Sequence, residues 1–178
     1  MKPVIIGIGG SYSEVGKTTF ACSLLKRLKG WGAIKYTKTP LYCSITEDID
    51  ILSKEGKDTK RFLESGAEKV IWVQSPFKNL KETLQLAVEN LSYLKGIIIE
   101  GNSPVEVLEP DIVIFISGDE GEKIKKNSMR TLKKADIIIY DKELPPCIPE
   151  GIKIFNNKNK REDCLDAVNF ILKKLAKR

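Results

Sequence analysis

The sequence predicts an α/β fold in which a mostly parallel central sheet carries helices on both faces. Short continuous apolar runs, such as residues 96–101 and 112–116, alternate along the chain with segments of helical periodicity. Strands that helices cover from both sides have such continuous apolar runs, because neither face of the strand meets water. A glycine-rich turn joins the first apolar run to the first helical segment, and this turn narrows the fold class further.

The elements follow one another in the order strand, helix, strand. A strand at residues 4–8 precedes a helix at 17–29, and Gly30-Trp31-Gly32 ends that helix before a strand at 33–36. The later elements are strands at 69–74, 96–101, 112–116, 136–140 and 153–155 and helices at 80–94, 123–135 and 163–177. Open parallel sheets bind ligands at the carboxyl ends of their strands, so the residues that follow each strand are candidates for a site.

The turn after the first strand has the composition of a phosphate-binding loop, which predicts a P-loop NTPase fold. Backbone N–H groups of such a loop, together with the start of the next helix, form an anion site. Lys17 is expected to reach the β- and γ-phosphates as a catalytic residue, and the Thr18 hydroxyl is expected to hold Mg²⁺. The residues predicted to bind the nucleotide here are Gly10, Ser13, Glu14, Val15, Gly16, Lys17, Thr18 and Thr19.

The spacing of this loop departs from the commonest pattern. Ser11 stands where the first glycine of that pattern is usual, and Gly10 lies one residue earlier. The longer loop resembles that of dethiobiotin synthetases, which share the stretch from Ser13 to Thr18. Tyr12 stands where MinD-like ATPases carry a second lysine, so their mechanism is not expected. An ordinary strand-to-helix turn is the alternative interpretation.

Acidic residues offer a metal partner for Thr18. Glu100 ends a strand of isoleucines, where a carboxylate can hold Mg²⁺ or polarise water, and it is the second predicted catalytic residue. The long connection 37–56 contains Asp48 and Asp50, and long loops are often functional. The predicted metal ligands are therefore Thr18, Asp50 and Glu100. The alternatives are a solvated acid at a strand end and an acid at a helix N-terminus.

Asp141 and Lys142 follow the strand at 136–140 and are predicted to contact the base. They resemble the Asn-Lys-x-Asp segment of P-loop GTPases, with Asp141 in place of the asparagine and Leu144 in place of the final aspartate. A carboxylate at Asp141 can accept hydrogen bonds from the N1 and N2 donors of guanine. A polar turn before Pro145-Pro146 is the alternative.

Composition limits the remaining function classes. A length of 178 residues supports one domain spanning residues 1–178. No apolar run approaches the roughly 20 residues that span a bilayer, and the N-terminal glycines argue against a signal peptide, so a cytoplasmic location without membrane partners is expected. The chain contains no histidine, and its four cysteines lack Cys-x-x-Cys spacing. The net charge of +6 is spread among acidic residues, so no nucleic-acid partner is expected.

The chain resembles molybdopterin-guanine dinucleotide biosynthesis protein B, a family of small GTP-binding P-loop proteins. The loop, the stretch 32–37, the motif Gly56-Lys57-Asp58-Thr59, Ser65-Gly66-Ala67 and Glu100-Gly101 carry the resemblance. It departs at 36–38, where Tyr-Thr-Lys replaces the family's histidines. The resemblance implies binding of GTP and Mg²⁺, slow GTP hydrolysis, a molybdopterin-processing partner protein and a homodimer. An ATP-dependent ligase or kinase resembling dethiobiotin synthetase is the alternative, with ATP as the nucleotide.

Overall fold

The structure is a computed structural model that describes residues 2–118, 124, 126–157 and 164–177. Within these residues, eight strands form one sheet in the order β3-β4-β2-β5-β1-β6-β7-β8. Every neighbouring pair is parallel except β3 with β4, which is antiparallel and lies at the sheet edge. The predicted, mostly parallel sheet is therefore confirmed. The strands are β1 (Val4–Gly10), β2 (Trp31–Lys38), β3 (Ser44–Thr46), β4 (Val70–Ser75), β5 (Gly96–Glu100), β6 (Ile112–Ser117), β7 (Ile137–Tyr140) and β8 (Lys153–Asn156).

Helices cover both faces of the sheet, as predicted. The helices are α1 (Lys17–Leu25), α2 (Ile49–Leu52), α3 (Asp58–Glu64), α4 (Leu80–Asn90), α5 (Asn102–Leu108), α6 (Lys126–Lys133) and α7 (Leu165–Leu175). Side chains of α1, α2, α3 and α7 share one core cluster with Ile8 and Ile114. On the opposite face, α4 packs with Ile97, and α5 and α6 pack with Phe115.

Strand β6 shows why continuous apolar runs predicted this fold. Ile114 contributes to the core on one face and Phe115 to the core on the other, and both side chains are fully buried. Successive side chains of a strand point to opposite faces, so a strand between two helical layers needs an apolar residue at every position. Burial of each such side chain stabilises the fold by about 1.5–3 kcal/mol relative to exposure.

The strand order places the functional loops together. Central strand β1 lies between β5 and β6, so its carboxyl end opens at the point where the chain changes direction across the sheet. The register aligns Ile8 of β1 with Glu100 of β5, and Glu100 with Lys35 of β2. The loop after β1 therefore begins beside an acid and a lysine from the two strands on one side.

Several elements differ from those that the periodicity predicted. Helix α1 ends at Leu25, earlier than expected, and the connection 37–56 contains β3 and α2. Helices α3 and α5 were not predicted, because seven residues hold too few turns to show a 3.6-residue period. The predicted starts of the helices at 123 and 163 lie outside the described residues. No helix within the described ranges is long and apolar enough to cross a membrane.

Candidate functional site

The loop between β1 and α1 borders a cavity of about 510 Å³ at the carboxyl edge of the sheet. We call it the phosphate-loop cavity. Gly16, the residue before α1, has φ 100°, a left-handed conformation that glycine adopts without strain. The residues that line the cavity are Ser13, Glu14, Gly16, Lys17, Thr18, Thr19, Lys35, Gly56, Asp58, Arg61 and Glu100.

Lys17 lies folded across its own loop. Its Nζ donates a hydrogen bond of 2.6 Å to the backbone carbonyl of Tyr12. Because Lys17 also lines the phosphate-loop cavity, a short rotation of its flexible stem would bring the ammonium into that cavity. The structure thus keeps the positive charge of Lys17 beside the loop.

Four side chains form a continuous polar chain at the floor of this cavity. The Thr18 hydroxyl donates to Glu100 Oε2 at 2.8 Å, and Lys35 Nζ donates to Glu100 Oε1 at 2.7 Å. The same ammonium lies 2.6 Å from Asp58 Oδ2 at the start of α3. Glu100 is only 4% exposed, so both of its carboxylate oxygens have partners in place of water. Lys35 is thus a cation held between two carboxylates.

The pKa shifts of Lys35 and Asp58 favour the charged forms of these two side chains. Burial alone would lower the pKa of Lys35, but the carboxylates of Glu100 and Asp58 outweigh burial and raise that pKa above its ordinary value. Burial likewise disfavours ionised Asp58, yet the hydrogen bond and the charge of Lys35 lower the pKa of Asp58 overall. Lys35 and Asp58 therefore remain ionised at neutral pH.

Arg61 connects the cluster to the other end of the phosphate-loop cavity. Its Nη2 donates to Thr19 Oγ1 at 2.9 Å, and its Nη1 lies 3.7 Å from Asp58 Oδ1. Its guanidinium is partly exposed and also lines the neighbouring cavity beyond Thr19. Arg61 is therefore placed to meet an anionic ligand that extends from one cavity into the other.

A buried polar network fixes the start of the loop. Asn102 Oδ1 accepts from the Gly10 N–H and its Nδ2 donates to the Gly10 carbonyl, both at 2.9 Å. Asn102 Nδ2 also donates to Ser128 Oγ, which donates to the Ser11 carbonyl. A Cβ at Gly9 would lie 2.4 Å from Asn102 Oδ1. The absence of a side chain at Gly9 is therefore what lets Asn102 reach the loop backbone.

A second cavity of about 360 Å³ lies on the other side of the loop. Ile116, Ile139 and Asp141 line it from the ends of β6 and β7, and Val15 and Phe20 line it from the loop and α1. The buried thiol of Cys164 also borders it, and burial raises the pKa of that thiol. Glu14, Arg61 and Asn157 also line it. Apolar side chains together with the carboxylate of Asp141 at the strand end suit a planar ring with hydrogen-bond donors.

The structure brings most of the predicted site residues together. The predicted residues in the phosphate-loop cavity are Ser13, Glu14, Gly16, Lys17, Thr18, Thr19 and Glu100, and those in the second cavity include Val15 and Asp141. Gly10 donates its N–H to Asn102, so it anchors the loop from behind. Asp50 lies exposed in α2 and lines neither cavity, and the same holds for exposed Lys142.

Asp58 is the acid that the structure places beside Thr18 and Glu100, where sequence analysis expected Asp50. The motif Gly56-Lys57-Asp58 contributed to the sequence prediction only as part of a family resemblance. Its spacing gives no sign that Asp58 lies near Glu100. Lys35 was not among the predicted site residues, and the structure shows it in contact with two carboxylates. The signal that could have found the pairing is the alignment of Lys35 with Glu100 in neighbouring strands.

The donor set at the cavity floor fits a hard divalent cation. A hydroxyl from Thr18 and carboxylates from Glu100 and Asp58 are the oxygen ligands that Mg²⁺ prefers, and Mg²⁺ usually takes few protein ligands and completes its shell with water and phosphate. The ammonium of Lys35 already occupies the space between these two carboxylates, which shows that they accommodate a cation. Among the described residues, no group of three or more His, Cys, Asp or Glu side chains forms a metal site.

Comparison with known proteins supports the fold class. No family model and no curated protein matches the sequence. Among solved structures, the chain is similar to HypB from Helicobacter pylori, crystallised in complex with nickel, with a TM-score of 0.62 and 15% sequence identity. The match covers 99% of this chain and 88% of that one. The chain therefore has the α/β fold of a P-loop NTPase over nearly its whole length.

Proposed function

We propose that this protein binds GTP with Mg²⁺ and hydrolyses it slowly. The observation that carries the proposal is the meeting of Thr18, Glu100, Asp58 and Lys35 at the floor of a cavity bordered by a glycine-rich loop and Lys17. Phosphates need backbone N–H groups and a cation at one end, and a metal needs hard oxygen ligands beside them. This cavity supplies both in one place.

Nucleotide binding would exchange internal contacts of the site for contacts to phosphate. Lys17 would leave the Tyr12 carbonyl for the β- and γ-phosphates, and Arg61 would neutralise charge at the edge nearer the second cavity. The loop itself changes little, because Asn102 already holds its backbone at Gly10. The phosphates therefore enter a preformed site, which limits the entropy lost on binding.

Thr18, Glu100 and Asp58 would hold Mg²⁺ in this site. Bound there, Mg²⁺ supplies positive charge that offsets the negative charge building up on the phosphates during hydrolysis. Lys35 would give up its place between the two carboxylates. Its ammonium would stay at the edge of the same cavity.

The contacts of Glu100 support slow hydrolysis. In the metal-free site its carboxylate oxygens accept from Thr18 and Lys35, and in the proposed complex Glu100 would hold Mg²⁺, so in both states it is engaged and not placed as a base for water. The chain has no histidine that could act as the base instead. A site that hydrolyses GTP slowly would stay in the GTP-bound state for a long time. This behaviour suits an accessory protein better than a fast enzyme.

The base and the physiological role rest on the family resemblance. Asp141 at the rim of the second cavity would accept from guanine, and Lys142 would lie alongside. We propose a role in the cytoplasm as a homodimeric accessory factor in molybdenum cofactor biosynthesis, working with a molybdopterin-processing protein. The nickel in the HypB crystal is a ligand of that protein, and we propose no nickel binding for this chain.

A calorimetric titration with GTP, ATP, GDP and ADP, with and without Mg²⁺, tests this function. We expect GTP to bind more tightly than ATP, and Mg²⁺ to strengthen the triphosphate more than the diphosphate. Lys17→Ala should abolish binding, whereas Lys26→Ala, an exposed lysine just after the same helix, should bind as the unmodified protein does. Normal affinity in Lys17→Ala would refute the assignment of the loop. Preference for ATP with rapid turnover would favour the ligase or kinase alternative.

A further inference from the structure

A third, smaller cavity of about 210 Å³ adjoins the phosphate-loop cavity. We call it the Trp72 cavity. It lies beyond Lys35, on the side away from Asp141, and it shares Lys35, Gly56 and Asp58 with the phosphate-loop cavity. Its other walls include Thr37, Lys57 and Trp72. A ligand in it would lie next to the metal-binding end of the proposed site.

Specific contacts hold the walls of the Trp72 cavity in place. The indole Nε1 of Trp72 donates to Thr37 Oγ1 at 3.0 Å, which fixes the plane of the ring. The Lys57 ammonium lies 4.2 Å from the centre of that ring, an arrangement that is favourable for a cation. Its hydrogen bond to the Ile51 carbonyl is long, at 3.4 Å. Lys57 is thus positioned mainly by the ring and keeps donor capacity for a closer partner.

The charges around the Trp72 cavity favour an anion. The ammonium groups of Lys35 and Lys57 and the carboxylate of Asp58 line the cavity, and Glu100 contacts Lys35 from the neighbouring cavity. Asp58 is also a proposed ligand of Mg²⁺, and a divalent cation on Asp58 and Glu100 would leave Lys35 less neutralised than it is now. A positive excess therefore arises when the neighbouring site is filled. An anion in the Trp72 cavity would gain from both lysines at that point.

We propose that the Trp72 cavity binds an acidic group, carboxylate or phosphate, of a second small ligand beside the nucleotide. The position of that ligand next to the terminal phosphate rests on the proposed function. The cavity is smaller than the 300–1,000 Å³ typical of whole-ligand pockets. It therefore takes the acidic end of a molecule, while the remainder extends toward exposed Gly56 and Thr37.

Tryptophan fluorescence can test this site directly, because the chain has only two tryptophans. Trp31 is buried at the start of β2, so Trp31→Phe leaves Trp72 as the sole reporter. The Trp31→Phe variant is first saturated with Mg²⁺ and a non-hydrolysable GTP analogue, which fills the phosphate loop. Inorganic phosphate and malonate are then titrated separately at constant ionic strength. Calorimetry on the chain with both tryptophans provides a parallel measurement that does not depend on Trp31→Phe folding well.

We expect a saturable change in Trp72 emission with at least one of the two anions, and the anion that gives it identifies the acidic group. Lys57→Met should weaken this binding about tenfold, the loss expected for one hydrogen bond to a charged group. Lys54→Met, an exposed lysine that does not line the cavity, is the matched control and should leave binding unchanged. No saturable response to either anion, or equal weakening in both variants, would overturn the proposal.

The two proposals fail in distinguishable ways. If the nucleotide binds and neither anion does, only the Trp72 site is refuted. If no nucleotide binds, the proposed function fails, and the anion titration is repeated on nucleotide-free Lys17→Ala. If Trp72 responds in the Lys17→Ala variant and the response disappears when Lys57→Met is added, the Trp72 site is still supported. If Trp72 does not respond, the site is refuted.

Discussion

Replacing Lys35 by methionine should destabilise the metal-free protein and make it respond strongly to Mg²⁺. The substitution removes the ammonium that lies 2.7 Å from Glu100 Oε1 and 2.6 Å from Asp58 Oδ2. Two carboxylates would then face each other without a cation, one of them almost fully buried. Mg²⁺ should restore stability, because the same oxygens would bind it in place of the ammonium.

The magnitude follows from burial. Breaking a fully buried ion pair costs about 3–5 kcal/mol. Here the Lys35 side chain is 19% exposed and Asp58 is 35% exposed, so water shields part of the loss and we expect about 2 kcal/mol. For a domain of this size, about 1 kcal/mol shifts the melting temperature by about 2–4 °C. The expected decrease in chelator is therefore about 4–8 °C.

Urea and thermal unfolding, in chelator and in excess Mg²⁺, measure this effect. The control is Lys38→Met, an exposed lysine at the end of the same strand, which should behave like the unmodified protein. Mg²⁺ should stabilise Lys35→Met more than the unmodified protein, in which Lys35 competes for the same carboxylates. Equal stability of Lys35→Met and the unmodified protein in chelator, or an equal gain from Mg²⁺ in both, would refute the role assigned to this lysine.

Substitutions at three other positions separate acid stability, base preference and loop anchoring. The lowered pKa of Asp58 means that its stabilisation is present above its ordinary value of 3.8 and is lost as the pH falls through the lower folded value. The difference in unfolding free energy between the unmodified protein and Asp58→Asn should therefore shrink below about pH 4 in urea titrations, and a constant difference would contradict this. Asp141→Asn should reduce the ratio of GTP to ATP affinity in calorimetry, and an unchanged ratio would mean that the base is recognised elsewhere. Gly9→Ala should cost about 1–3 kcal/mol of stability, because its Cβ would meet Asn102 Oδ1 at 2.4 Å and Thr131 Cγ2 at 2.5 Å. The double variant with Asn102→Ala should lose less than the sum of the single losses, and full additivity would show that the two residues are not coupled.

The sequence predicted the sheet and the phosphate loop because both depend on local patterns. A run such as that of β6 is apolar at each core position, and the glycine-lysine-threonine loop carries its chemistry in consecutive residues. The three-residue β3 and the short helices α2, α3 and α5 lack enough residues to show a period. They form because the surrounding core stabilises them, for example through Phe62 of α3, which is fully buried.

The charged cluster was less predictable than the loop. Lys35, Asp58 and Glu100 come from distant parts of the chain and meet only through the alignment of β2 with β5 and the position of α3. Asp50 and Asp58 are both acids near a helix start, and no local pattern distinguishes them. The packing of α3 against α1, β2 and β4 brings Asp58 to the site.

The two hydrogen bonds between Asn102 and Gly10 have a consequence for the proposed nucleotide binding. Glu100 and Asn102 are two residues apart, so the segment that supplies a proposed metal ligand also holds the backbone of the phosphate loop. A ligand that displaces Glu100 would therefore also displace the loop, because the same short stretch of chain connects them. Binding of the metal and binding of the phosphate would then be coupled through this backbone segment as well as through their charges. Such coupling is reciprocal: if Mg²⁺ tightens nucleotide binding, the nucleotide tightens Mg²⁺ binding by the same factor.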